Sequence, residues 1–170
     1  KELQSRLAGR LQAARNEGVS VAAWLAVQSG GRDYLLPLSQ AGEIFPWTDV
    51  QSVPYTHDWF LGVANLRGGL HSIVDLAAFV ESRGPIRRTE LELGQSRLIA
   101  LNPMLETSCA LLVDGLHGLR TVESFASSAP VPEGAPSYFG HTYTDMDGVQ
   151  WQEVNLQALS QHQPFLVIGV

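Results

Sequence analysis

The side chains able to do chemistry are few, and their spacing does not assemble an active site. The five histidines are His57, His71, His117, His141 and His162. None lies in a His-Glu-x-x-His pattern or in a compact pair of the kind that holds a metal. His71 and Asp75 stand four residues apart in a stretch that reads as a strand. There the spacing puts both on one face but ~13 Å apart, too far to share an ion directly, so His71 reads as a solvent-facing histidine. The single cysteine, Cys109, excludes an internal disulfide and a cysteine zinc site. A nucleophilic thiol needs a neighbour that lowers its pKa. Glu106 would raise it, and the apolar run after Cys109 predicts a buried, inert side chain. No serine sits in Gly-x-Ser-x-Gly. Gly62, Gly68 and Gly69 form neither a dinucleotide fingerprint nor a phosphate loop. Asp75 and Asp114 have the chemistry for paired acid–base work, but each ends an apolar run, where Asp commonly caps turn backbone. The reading is of a chain without catalytic residues, cofactor or metal.

The elements that would carry these residues are short. A chain of 170 residues with 45% hydrophobic composition can build one sizeable core or two small ones sharing an interface. Its 16 Gly and 9 Pro are scattered between apolar stretches, the pattern of many short strands joined by turns. A net charge of −6 argues against nucleic acid, whose binding needs clustered cations. The one basic cluster, Arg83, Arg87 and Arg88, contains Gly84 and Pro85 and reads as a solvated loop. The apolar runs are far below the ~18–20 residues of a membrane span, and no secretion signal is visible. A cytoplasmic location and no direct membrane insertion are expected.

Leu3, Leu7, Leu11 and Ala14 recur at helical spacing, which predicts a helix over residues 1–18 ending at Gly18. A mainly β region follows over 19–170. Val19–Val27 and Tyr34–Leu38 flank Ser29-Gly30-Gly31-Arg32 and read as a hairpin. Glu43–Trp47 and Asp49–Val53 read as short strands or connectors ended by Pro. Phe60–Leu66, a Gly68-Gly69 turn and Leu70–Asp75 form a second hairpin leading into a helical piece, Leu76–Val80. Ser82–Gly94 reads as a linker. The second half offers strands Arg97–Leu101, Cys109–Asp114 and Leu119–Val122, a loop over Ala126–Pro136, a hairpin of Tyr138–Thr144 and Val149–Val154, a helix Leu156–Gln161 capped by Asn155, and a last strand Phe165–Val170. The run Ser72-Ile73-Val74-Asp75-Leu76 echoes Leu111-Leu112-Val113-Asp114-Gly115, which suggests duplicated small barrels.

The most specific segment runs from Gly62 to Leu76. Gly68 permits backbone angles that other residues resist. Arg67 stands at the lip of the turn, where its planar fork suits either a carboxylate on another surface or a local salt bridge to Asp75 or Glu43. Gly62, Asn65, Arg67, Gly68, Asp75 and Leu76 reproduce Gly-x-x-Asn-x-Arg-Gly, an apolar strand and Asp-Leu, six matches over fifteen positions. This segment resembles the signature of the CheW-like coupling family. Tyr34–Leu38, Glu43-Ile44 and Leu112-Val113-Asp114 extend the likeness over roughly Ala22 to Leu159. The leading helix and the ending Gln161-His162-Gln163-Pro164-Phe165-Leu166 look closest to the adaptor branch of type IV pilus chemosensory systems, which is tied to twitching motility.

The resemblance implies two five-stranded barrels on a shared hydrophobic interface, about residues 28–90 and 95–155, with strand exchange between them. It implies a non-enzymatic adaptor without cofactor. It implies two partners: the cytoplasmic tip of a methyl-accepting chemoreceptor and the regulatory domain of a CheA-like histidine kinase, met in membrane-associated receptor arrays. Residue by residue, Glu43, Ile44, Asn65, Arg67 and Gly68 match partner-contact positions. Gly62, Asp75, Leu76 and Asp114 match structural ones. Gly69, His71 and Ser72 depart from the family pattern; Ser72 stands where Pro is usual, so the strand after Gly69 is expected to be less rigid. The alternative is a small-molecule-binding β-barrel or a hydrolase with an Asp/His pair, which would place His71, Asp75 or Asp114 around one apolar cavity.

Overall fold

The uninterrupted apolar runs are strands buried on both faces. A computed structural model describes residues 23–82 and 84–170. The helix expected over 1–18, the start of the first hairpin strand and Arg83 lie outside the described residues. The strands are β1 Trp24–Ser29, β2 Arg32–Pro37, β3 Ala41–Pro46, β4 Phe60–Leu66, β5 Gly69–Asp75, β6 Arg97–Leu101, β7 Cys109–Val113, β8 Gly115–Arg120, β9 Phe125–Ala129, β10 Phe139–Asp145 and β11 Gln150–Val154. The helices are α1 Leu76–Glu81, α2 Glu90–Gln95, α3 Leu156–Gln161 and α4 Gln163–Leu166.

Two mixed sheets result, one ordered β8-β1-β2-β11-β10-β9 and the other β3-β6-β7-β5-β4. The alternation of side chains then sorts each strand between two apolar clusters. On β7, Cys109, Leu111 and Val113 enter a large cluster that also takes Leu25, Val27, Leu36, Val74 and Ile99 from both sheets. Ala110 and Leu112 turn the other way, toward Ala64, Leu66, Ile73 and Leu98 inside the five-stranded sheet. Trp24, Ala26, Leu35 and Trp151 do the same inside the six-stranded sheet. Each sheet thus curls round its own small cluster, and the large cluster lies between them.

The fold is mainly β, as expected, with two differences from paired five-stranded barrels. One sheet has six strands, and the linear strand orders show that neither closes through ladder hydrogen bonds. The sixth strand is β9, which falls in the segment read as a loop from Ala126. Its Ser and Ala carry little strand preference; antiparallel pairing with β10 imposes the conformation.

Three other expectations need correction. The strand expected at Leu119–Val122 runs earlier, over Gly115–Arg120, where it pairs with β1. Of the two readings open for Asp49–Val53, the connector holds, with one bridge, Gln51 to Val63. The linker Ser82–Gly94 contains most of α2, started by a capping box: Thr89 Oγ1 accepts from the Glu92 amide and Glu92 Oε1 accepts from the Thr89 amide. The tail after Phe165 is no strand. Pro164 stands in the first turn of α4, Phe165 stacks on Trp59 with centroids 6.1 Å apart, and one bridge joins Gly169 to Thr56. Aromatic packing anchors Phe165, and two backbone hydrogen bonds, the His57 amide to the Ile168 carbonyl at 2.8 Å and the Val170 amide to the Tyr55 carbonyl at 3.0 Å, hold the last residues without building a strand.

Candidate functional site

The β4–β5 hairpin turns through Arg67 and Gly68, at φ 48° and 78°. Positive φ at both central residues is the primed turn that matches strand twist, so the turn centre lies one residue earlier than Gly68-Gly69. Gly68 enters this region freely; Arg67 does not. Asn65 Oδ1 accepts from the Gly68 amide at 3.0 Å and braces the turn. Arg67 Nε donates to Glu43 Oε1 at 2.8 Å, and Nη2 donates to Glu43 Oε2. Of the two local partners open from the sequence, Glu43 is the one engaged. The Arg67 hydrogen bond holds the Glu43 carboxyl below the ordinary glutamate value, against an opposing effect of burial.

Glu43 belongs to β3 and Arg67 follows β4, the two outermost strands of the five-stranded sheet. Their fork therefore fastens an open seam that no ladder closes. Both side chains remain exposed, at 74% and 43%. Ile44 and Leu70 add exposed apolar surface on the same two hairpin and edge segments. Beneath, Gly62 sits at φ 141°, and a Cβ there would lie 2.1 Å from the Gln51 carbonyl oxygen. Gln51 and Val63 exchange backbone hydrogen bonds of 2.8 and 2.9 Å, so only glycine lets the connector lie against β4.

Asp75 and Asp114 belong to a separate site. Arg88 Nε donates to Asp114 Oδ1 at 2.6 Å, and Nη1 donates to Asp75 Oδ2 at 2.8 Å. Arg88 is 5% exposed and Asp75 1%, which corrects the reading of Arg88 as part of a solvated loop. Burial alone would lower the Arg88 pKa, but hydrogen bonds to Asp114 and Asp75 outweigh it and raise the value. Asp75 also caps α1 through the Ala78 amide, and Asp114 Oδ2 accepts from the Gly30 amide at 2.7 Å. Leu76 is fully buried in the large cluster.

This arrangement leaves nothing for acid–base work between His71 and Asp75. The Asp75 carboxylate is taken by Arg88, and His71 is half-buried, with Nδ1 3.0 Å from the Gly69 carbonyl oxygen, and faces solvent only in part. Among the described residues no group of His, Cys, Asp and Glu could hold a metal. Cys109 is buried, and that burial pushes its thiol up to about 12. Ser72 donates its amide to the Ser108 carbonyl at 3.0 Å, a bond Pro cannot make. That departure ties β5 to the β6–β7 connector; it does not loosen the strand.

Residues 23–163 match the family model described as the CheW-like domain. The chain belongs to the CheW-like domain family. It is 30% identical over 168 residues to Protein PilI of Pseudomonas aeruginosa, covering 97% of this chain and 89% of that one. It is 35% identical over 100 residues to the probable chemotaxis protein CheW of Rhizobium etli, covering 58% of this chain and 59% of that protein. The crystal structure of scaffolding protein TtCheW from Thermoanaerobacter tengcongensis shares the fold, with a TM-score of 0.61 at 18% identity over 78% of this chain and 88% of that chain. CheW-like proteins are scaffolds and not enzymes, and this one is a CheW-like coupling protein. The CheW-like signature is thus split in space. Asn65, Arg67 and Gly68 form an exposed turn fastened to Glu43, and Asp75 and Leu76 lie at the buried end of β5. Arg88 is the site residue the sequence reading missed; the only available signal was that its segment is followed by the Thr89-x-x-Glu92 capping box, which marks ordered chain.

Proposed function

We propose that this CheW-like protein joins the cytoplasmic tip of a methyl-accepting chemoreceptor to the regulatory domain of a CheA-like histidine kinase, in the system that controls type IV pilus twitching motility. Similarity to PilI along nearly the whole chain supports the pilus branch. The Glu43–Arg67 fork carries the reading of the surface. An exposed ion pair adds little to folding, yet here it occupies a turn that forces Arg67 into the left-handed region. Backbone strain of this kind collects at functional positions. Glu43, Ile44, Asn65, Arg67 and Gly68 are the partner-contact residues, and Gly62, Asp75, Leu76 and Asp114 hold the frame. Arg67 can keep one edge of its fork on Glu43 and turn the other donors to a partner carboxylate or carbonyl. Recruitment to membrane-associated receptor arrays follows from the receptor contact; among the described residues no helix is long and apolar enough to cross a membrane.

The test is calorimetric titration of the purified protein with the kinase regulatory domain and, separately, with a receptor-tip fragment. Arg67→Ala and Glu43→Lys are expected to weaken one or both associations about tenfold or more, with unchanged circular dichroism. Both associations persisting at parental strength in both variants would remove the surface assignment.

A further inference from the structure

Arg88 stands where the two sheets exchange chain. Asp75 ends β5 of the five-stranded sheet. Asp114 is the single residue between β7 of that sheet and β8 of the other. β5 and β7 run parallel, with Asp75 opposite Leu112, so both carboxylates emerge at one end of the sheet. The β1–β2 turn of the six-stranded sheet meets them there. Gly30 donates its amide to Asp114 Oδ2 at 2.7 Å, and Asp114 donates its own amide to the Gln28 carbonyl at 2.7 Å. The Ala77 amide, in the first turn of α1, donates to Ser29 Oγ at 3.2 Å. One guanidinium thus gathers both sheets' ends round a single planar fork.

Most of the remaining contact between the sheets is the large apolar cluster. Apolar contact is non-directional and tolerates small rotations of one layer on the other. A bidentate guanidinium with fixed donor geometry does not. A buried ion network is also poor evidence for stability, since apolar replacement of such networks is often neutral. We infer that Arg88 is a positioning residue: by holding Asp75 and Asp114 at once it fixes the angle between the two sheets of this protein. On the coupling role proposed above, that angle sets how a partner at the Glu43–Arg67 turn is presented relative to one on the six-stranded sheet; the angle itself does not depend on that role.

The experiment measures the angle directly in the isolated protein. Met104, between β6 and β7, and Met146, between β10 and β11, are 87% and 69% exposed. Spin labels at Met104→Cys and Met146→Cys report one distance between the sheets, while buried Cys109 stays unlabelled. The parent should give one narrow distribution. Arg88→Lys keeps the charge but cannot span both carboxylates, and its distribution should be displaced or roughly twice as broad, as expected when a second arrangement becomes populated. The combination Asp75→Asn, Arg88→Met and Asp114→Asn leaves no buried charge and should show the same change at parental melting temperature, which also serves if a single variant fails to fold. A distance distribution identical to the parent's in these variants overturns the proposal, whatever happens to their melting temperatures. Loss of receptor or kinase binding in the parent would leave this result standing and would remove only the coupling role.

Discussion

Arg67, at the left-handed turn between β4 and β5, donates to both carboxylate oxygens of Glu43 on β3 and so joins the two outer strands of one sheet. The pair forms only while Glu43 is ionised. Its carboxyl is held below the ordinary glutamate value by the Arg67 hydrogen bond. A carboxyl depressed in the folded state contributes above its unfolded-state pKa, and that contribution is lost as pH falls through the lower folded-state value. Carbon-detected NMR titration should therefore place Glu43 below the ~4.3 of a free glutamate, and Arg67→Ala should move it back up. A Glu43 midpoint indifferent to Arg67 would mean that the pair does not form in solution.

Removing Arg88 leaves the Asp75 carboxylate, 1% exposed, without a counter-charge. Breaking one side of a buried pair in this way costs roughly 3–5 kcal/mol, and urea denaturation of Arg88→Ala should show it. Asp114→Ala should cost clearly less, because Asp114 is 30% exposed and water screens the loss. Equal costs for the two would mean that Asp75 is not the buried anchor of the network.

Two glycines of the signature should respond differently to alanine. A Cβ at Gly68 meets nothing within 4 Å, so Gly68→Ala meets only its left-handed backbone, a cost of about 1–2 kcal/mol. At Gly62 the added carbon lies 2.1 Å from the Gln51 oxygen. Gly62→Ala must break the Gln51–Val63 bridge and should cost at least ~3 kcal/mol. Calorimetric melting checks the order; a Gly62→Ala protein as stable as Gly68→Ala would show that the connector does not lie against β4.

Burial pushes the Cys109 thiol to about 12, so it stays protonated through the physiological range. The native protein should not react with a thiol reagent at pH 8, and the thiol should become fully reactive in denaturant. Fast native labelling would contradict the packing of β7 between the two apolar clusters.

Much of the framework was legible because it is local. Phe60–Leu66, Arg97–Leu101 and the Asn155-capped helix Leu156–Gln161 have the bounds their apolar runs and caps suggest. The Asp75 and Asp114 echo was also legible, as two runs ending in Val-Asp. β9 was not, because Phe125-Ala126-Ser127-Ser128-Ala129 has no pattern of its own and takes strand geometry from β10. The tail was misread because apolar residues near Phe165 are consistent with either a ladder or an aromatic anchor, and only the position of Trp59 and Phe79 decides.

The sequence by itself determined a mainly β scaffold, a glycine-dependent turn beside Arg67, and the Gly62-to-Leu76 signature of the CheW-like family. These follow from spacing along the backbone, where period and turn chemistry act over a few residues. Only the tertiary structure decided the pairings. Arg67 reaches Glu43 across 24 positions, and Arg88 reaches Asp114 across 26. A charge in a sequence carries no mark of which opposite charge will meet it. That depends on where the sheets curl and which strand ends they bring together, and here the curling places one fork at an exposed seam and the other in the buried joint between the sheets.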